Sequence, residues 1–201
     1  MKAEIPGTAI PGPTPRPAVL LDRDGTVTED RGYARTAEEI VLLPGAGRAI
    51  RALNQAEVAV VLVTNQSGVG RGYFTLADLA LQHQALVRLL ALEGAVLDGI
   101  YFCPHRPEDR CACRKPGAAL VEEAAADLEL DLARSWVVGD RADDLLLAQH
   151  GLAGGLLVRT GQGAATWESF RATLRADWSF PDLEAAVAYV LGQIPRPRAR
   201  R

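Results

Sequence analysis

Apolar residues along this chain come in short unbroken runs, separated by longer stretches of helical spacing. Ala18–Leu21 (AVLL) and Val58–Val63 (VAVVLV) have no polar partner positions, so each predicts a strand buried on both faces of a parallel sheet. Ala46–Ala56 places Ile50 and Leu53 on one side and Arg48 and Arg51 on the other, the spacing of an amphipathic helix. Thr75 is suited to cap a second helix that reaches about Glu93, with Leu76, Leu79, Leu86 and Leu90 inward and Gly94 as its stop. Asp98–Phe102, Ser135–Val138 and Leu156–Val158 predict three more strands, and Ala118–Leu128, Ala142–His150 and Asp182–Leu191 three more helices. This alternation predicts an α/β fold, a Rossmann-like parallel sheet with helices on both faces. Ligands of such sheets bind beyond the carboxyl ends of the strands.

Composition narrows the setting. With 201 residues the chain predicts one domain, 18–194, between a Pro/Gly-broken lead-in (1–17, extended and poorly ordered) and a basic tail (195–201). A net charge of −3 gives no reason to expect nucleic acid or an anionic membrane as partner. No apolar run is long enough to cross a bilayer, and the first residues lack the apolar core of a signal peptide. The expectation is a cytoplasmic monomer acting on a small molecule.

Polar residues bunch where the strands end. Asp22 and Asp24 leave the first strand together in DRDGT, and Gly25 lets the chain turn sharply behind them. Two carboxylates this close repel unless a cation intervenes, which predicts a hard ion such as magnesium. Thr64 and Asn65 end the next strand, ahead of the loop Ser67-Gly68-Val69-Gly70-Arg71-Gly72, whose backbone N–H groups are expected to help hold phosphate oxygens. Arg114 and Lys115 offer a guanidinium fork and a compact ammonium. Asp140, after another strand, adds a third carboxylate able to complete a magnesium site with Asp22. Together these groups suit phosphoryl transfer.

The three cysteines, Cys103, Cys111 and Cys113, share one loop with His105. An odd count argues against a disulfide framework, whereas three thiolates and an imidazole make a tetrahedral zinc set. Four protein ligands leave no position for water, so the zinc is expected to be structural. It precedes Arg114-Lys115 and would fix where they point. His83 and His150 fall in predicted helices, and a helix-end contact before Gly151 accounts for His150.

In that order, DRDGT, TNQSG, RKP and VGDRADD resemble the four motifs of the haloacid dehalogenase superfamily of phosphatases, over roughly Val19 to Val158. TNQSGVGRGYF (64–74) and CPHRPEDRCACRKP (103–116) are most similar to its branch that acts on heptose bisphosphates, with histidinol-phosphate phosphatases the nearby alternative. The resemblance implies a Rossmann-like core without a large cap domain and a magnesium-dependent aspartyl-phosphate mechanism. It implies Asp22 as nucleophile and Asp24 as general acid and base. Magnesium would bind the Asp22 and Asp140 side chains and the Asp24 backbone carbonyl. Thr64 and Lys115 would hold the transferring phosphoryl group, Asn65 and Arg114 would contact substrate, and Asp144 would orient its neighbours.

Overall fold

The computed structural model describes residues 1–3, 15–173 and 178–194. Seven strands form one sheet: β1 (Lys2–Ala3), β2 (Ala18–Leu21), β3 (Ala59–Asn65), β4 (Gly99–Cys103), β5 (Trp136–Gly139), β6 (Gly154–Val158) and β7 (Ser179–Phe180). Their order is β1-β4-β3-β2-β5-β6-β7, parallel throughout except for β1 against β4. Helices α1 (Ala46–Gln55), α2 (Ser67–Gly70), α3 (Leu76–Leu92), α4 (Ala119–Leu128), α5 (Ala142–Leu146), α6 (Gly163–Phe170) and α7 (Leu183–Gln193) connect them. The Rossmann-like architecture expected from the alternation is the one observed.

The unbroken apolar runs follow from burial on two sides. Val19, Leu21, Val60 and Leu62 pack with α1, α3 and α7, while Ala18, Leu20, Ala59, Val61 and Val63 pack with α4 and Leu147 on the opposite face. Alternate side chains point to opposite faces, so no position in these strands is left for a polar residue. Truncating one of them, such as Leu62→Ala, should cost about 2–5 kcal/mol. The strand order reverses direction at β2, whose neighbours are β3 and β5, and this puts the mouth of a crevice at the end of β2. Between β2 and α1 the chain forms only loops and one short helical turn, Ala37–Glu39, so no cap domain stands over that crevice.

Several elements differ from expectation. Leu76 is 45% exposed, because it lies in the first turn of α3, where Thr75 and Asp78 form a reciprocal capping box at the surface. The helix expected over Ala142–His150 ends at Leu146 and tightens into a 3₁₀ turn over Leu147–His150. Lys2–Ala3, expected to lie in an extended, poorly ordered lead-in, form the edge strand β1. There the Met1 carbonyl accepts from Phe102 N (2.7 Å) and the Met1 amine donates to Phe102 O (3.1 Å). The chain re-enters at Arg16, which forms an ion pair with buried Asp98. The rest of the lead-in, residues 4–14, and the basic tail 195–201 lie outside the described residues.

Candidate active site

Asp22 leaves β2 with its N–H donating to Val138 O of β5 (3.0 Å), which pins the carboxylate at the reversal of strand order. The Arg23 carbonyl then accepts from the N–H groups of Val27 and Thr28 (2.9 and 2.8 Å), folding DRDGT into a tight loop. Gly25 has φ +82°, and a Cβ there would collide with the Asp140 carboxylate and the Gly161 backbone. The turn therefore requires glycine both for its backbone angle and for the closeness of Asp140.

Three buried carboxylates, Asp22, Asp140 and Asp144, bring one oxygen each within 4.8 Å of the others. Lys115 is buried among them, with its ammonium donating to Asp22 Oδ1 (2.6 Å) and Val63 O (2.7 Å) and paired with Asp144 Oδ1 (2.5 Å). All three N–H bonds of the ammonium are thereby used. Burial opposes the charge on Lys115, but Asp144 and Asp22 outweigh it and hold its pKa above the ordinary lysine range. Asp22 responds in the other direction. Burial pushes its pKa up to about 7, Lys115 pulls it down, and the carboxylates of Asp144, Asp24 and Asp140 push it up again. Burial likewise raises Asp140 to about 6, against the hydrogen bond from Gln162 N (2.7 Å) to its Oδ2.

Asp140 Oδ1 is buried and has no hydrogen-bond partner. An orphaned carboxylate oxygen beside a second raised carboxylate fits a hard divalent cation, which would supply the missing charge and favour both ionised forms. Asp144 is already committed, to Lys115 and through Oδ2 to Arg141 N (3.0 Å), which suits an orienting part.

Thr64 is buried, with its Oγ1 accepting from Gln66 Nε2 (2.9 Å) so that its own proton is free to donate. Asn65 makes a reciprocal pair with the Lys115 backbone: Lys115 N donates to Oδ1 (3.0 Å) and Nδ2 donates to Lys115 O (3.3 Å). Its first effect is thus to hold Lys115. Arg114 has a buried Nη1 without a partner, a donor still available to an anion. The Gly-rich loop departs from expectation at four of its six residues. It forms the short helix α2, and the N–H groups of Val69, Gly70, Arg71 and Gly72 all donate to protein carbonyls, so they are not offered to phosphate.

These groups surround a cleft of about 290 Å³, lined by Asp22, Asp24, Thr64, Asn65, Arg114, Lys115 and Asp144 among others. Sequence reasoning missed further lining residues, Asp30, Tyr33, Arg141 and Asp143, and named Arg71 only as part of the Gly-rich loop. Asp143 stood in plain view beside Asp144, and Arg141 inside VGDRADD. A larger cavity of about 540 Å³, between β1, α3 and β4, is lined by none of these carboxylates. His83 lines that cavity, buried against Phe102 with neither ring nitrogen partnered. His150 Nε2 lies 3.1 Å from Pro116 O, a contact with the loop carrying Lys115 rather than with its own helix end.

The loop before Arg114 gathers four donors. Cys103 Sγ lies 3.5 Å from Cys111 Sγ, 3.2 Å from Cys113 Sγ and 3.6 Å from His105 Nδ1, and His105 Nδ1 is 3.2 Å from Cys113 Sγ. The thiols are free, not disulfide-bonded. A tetrahedral ion with bonds of about 2.3 Å to sulfur separates its sulfur donors by about 3.8 Å, so the quartet is slightly tighter than the edges of a zinc polyhedron.

Known proteins match at both levels. A family model described as HAD-hydrolase-like matches residues 112–186. The D-glycero-D-manno-heptose-1,7-bisphosphate 7-phosphatase of Thermosynechococcus vestitus is 41% identical over 188 residues, covering 88% of this chain and 96% of its own. The D-glycero-beta-D-manno-heptose-1,7-bisphosphate 7-phosphatase of Haemophilus ducreyi is 42% identical over 185 residues, covering 86% of this chain and 97% of its own. Among solved structures, the D,D-heptose 1,7-bisphosphate phosphatase of B. bronchiseptica, complexed with magnesium and phosphate, superposes with a TM-score of 0.80. It is 38% identical and covers 89% of this chain and 99% of its own. The motifs, the fold and these relatives agree, and the chain belongs to the heptose-1,7-bisphosphate 7-phosphatase family of haloacid dehalogenase-like hydrolases.

Proposed function

We propose that this phosphatase removes the 7-phosphate of D-glycero-D-manno-heptose 1,7-bisphosphate in two displacements at phosphorus. The observation that carries the reading is the buried quartet Asp22, Asp140, Asp144 and Lys115, with one carboxylate oxygen of Asp140 unpartnered. An Asp22 oxygen attacks phosphorus, the bond to the sugar oxygen breaks, and Asp24 gives that oxygen a proton. Water then attacks the phosphoryl-Asp22 and Asp24 takes its proton. Phosphate leaves, and the Asp22 carboxylate is restored. Splitting one difficult displacement into two needs both an anionic nucleophile and an acid within reach of the leaving group. Lys115 serves the first need by contact with Asp22, and the Asp24 side chain, a quarter exposed, faces the cleft for the second. The Thr64 hydroxyl and Arg114 Nη1 are the donors still free to meet phosphate oxygens.

Asp22, Asp140 and the Asp24 carbonyl would hold magnesium. When bound, that ion offsets negative charge on the phosphoryl oxygens and favours ionised Asp22. Cys103, His105, Cys111 and Cys113 would hold zinc with no open position, a structural ion that fixes the loop leading to Arg114 and Lys115.

Phosphate release from both anomers of heptose 1,7-bisphosphate, from histidinol phosphate and from other monoesters, with phosphorus NMR to show which group is lost, tests the reading. Selective loss of the 7-phosphate is expected. Preference for histidinol phosphate, or loss of the 1-phosphate, would overturn the substrate assignment while leaving the phosphatase chemistry intact.

A further inference from the structure

Directly beneath Asp24 lies a buried cation that the two-step reaction does not use. Arg23 is the largest fully buried side chain among the described residues, with 1% of its surface exposed. Its Nε donates to both oxygens of Asp24 (3.1 Å each), and Nη2 lies 3.0 Å from Asp24 Oδ2. The rest of the guanidinium is held by two amides: Nη2 donates to Gln66 Oε1 (3.0 Å) and Nη1 to Gln82 Oε1 (3.1 Å). Each amide is anchored in turn. Gln66 Nε2 donates to Asp24 Oδ2 (2.8 Å) and to Thr64 Oγ1 (2.9 Å), and Gln82 Nε2 donates to Ala34 O (3.0 Å).

The direction of this network matters more than its size. The Arg23 side chain is 2% exposed and the Asp24 side chain 25%, so the cation grips the carboxylate from the protein side and leaves its other side to the cleft. Gln82 is fully buried on α3, away from the cleft, so the network extends from the acid into the fold. A guanidinium out of water costs several kcal/mol unless its partners are well placed, and an apolar side chain would fill the space more cheaply. An aspartate alone has two freely rotating bonds, and displacement by about an ångström is enough to cost on the order of a hundredfold in rate.

The geometry points to Arg23, held by Gln66 and Gln82, as the positioning residue that keeps the Asp24 carboxylate turned toward the leaving-group oxygen. This rests on the phosphatase reading above and adds to it the part that aims the acid. Arg23 does not touch substrate. On kcat/KM its effect is confined to esters whose leaving group needs a proton, and this separates positioning from mere stability.

The test compares kcat/KM for heptose 1,7-bisphosphate, whose alkoxide must be protonated, with kcat/KM for p-nitrophenyl phosphate, whose phenolate leaves unaided. Because kcat/KM covers steps up to the first irreversible one, later hydrolysis of phosphoryl-Asp22 does not enter it. Arg23→Gln should lower the value for the heptose ester about 100-fold and that for the aryl ester less than about 5-fold. Gln82→Met, one contact further from the acid, should shift the same ratio in the same direction by a smaller factor, and it supplies the reading if Arg23→Gln does not fold. Asp24→Asn combined with Arg23→Gln should lose no more than Asp24→Asn alone, since an arginine that acts through Asp24 has nothing left to aim. Equal losses on the two esters, or additive losses in the double variant, would overturn the positioning role. Wild-type protein releasing phosphate from neither ester would instead overturn the phosphatase reading beneath it.

Discussion

The carboxylate cluster and the cysteine cluster lie on either side of the same short loop, yet they solve like-charge crowding in different ways. Among the carboxylates the chain supplies its own counter-charge, since Lys115 touches both Asp22 and Asp144. Cys103, Cys111, Cys113 and His105 instead contact one another, with no lysine or arginine within the group of four. Deprotonated, those three sulfurs would repel at 3.2–3.5 Å. On the proposed reading, the first cluster is expected to fold without its ion and to use the ion for chemistry, and the second is expected to depend on an ion for its cohesion. Magnesium removal should stop turnover with little loss of structure, and zinc removal should loosen the loop and act on turnover only through it.

Replacing the nucleophile should have the largest effect. Asp22→Asn removes the attacking anion and one proposed magnesium ligand, and phosphate release should fall at least about 10⁴-fold. The Lys115–Asp144 pair remains, so thermal unfolding should move little; a residual rate near wild type would remove Asp22 from the mechanism.

Lys115→Ala tests the internal counter-charge itself. It leaves Asp22 and Asp144 buried without their cation, so stability should fall by about 3–5 kcal/mol and activity about 10²–10³-fold. Added magnesium should raise the melting temperature of this variant more than that of wild type, because the ion then replaces part of the lost charge. An unchanged melting temperature would mean that the carboxylates do not need Lys115 to coexist.

On the other side of the loop, Cys111→Ser should release zinc, lower kcat/KM about 100-fold and lower the melting temperature. Elemental analysis beside the kinetics decides it. Wild-type kinetics in zinc-free protein would cut the link between the two clusters.

The smallest effect concerns neither cluster. Burial, with the Arg23 charge nearby, holds His83 neutral with a pKa depressed to about 3. Between that value and the unfolded value near 6.5, only the unfolded chain takes the proton. Stability from this group is therefore complete above about pH 6.5 and declines as pH falls, by about 2 kcal/mol at pH 5. The raised carboxylates Asp22 and Asp140 titrate in the same range with opposite sign, so the comparison must be made against His83→Phe. That variant should lose less of its melting temperature than wild type on going from pH 7 to pH 5; parallel curves would show His83 to be protonated in the fold.

What the sequence made legible was whatever depends on local pattern. The runs AVLL and VAVVLV declare strands buried on both faces, and Asp22, Asp140, Lys115 and the Cys/His quartet converge as their placement after strands suggested. What it concealed depends on contacts between distant segments. Arg23 drew no reading from the sequence, because its partners Gln66 and Gln82 come from β3's end and α3, 43 and 59 residues away. The Gly-rich loop looked like a phosphate cradle because composition does not reveal that Gly70 N is taken by Pro104 O, in the cysteine-bearing loop. The edge strand β1 was hidden for the same reason: two residues carry no periodicity, and only the unpaired edge of β4 makes a strand of them.

The carboxylate cluster is expected to work through a covalent phosphoryl group on Asp22. Acid-quenching the enzyme during turnover of heptose 1,7-bisphosphate with magnesium, followed by mass spectrometry of its peptides, reads this directly. One phosphoryl group is expected on the peptide containing Asp22, absent in Asp22→Asn and accumulating in Asp24→Asn with p-nitrophenyl phosphate, where its hydrolysis is slowed. Phosphate release at full rate with no labelled peptide at any quench time, in either wild type or Asp24→Asn, would contradict it.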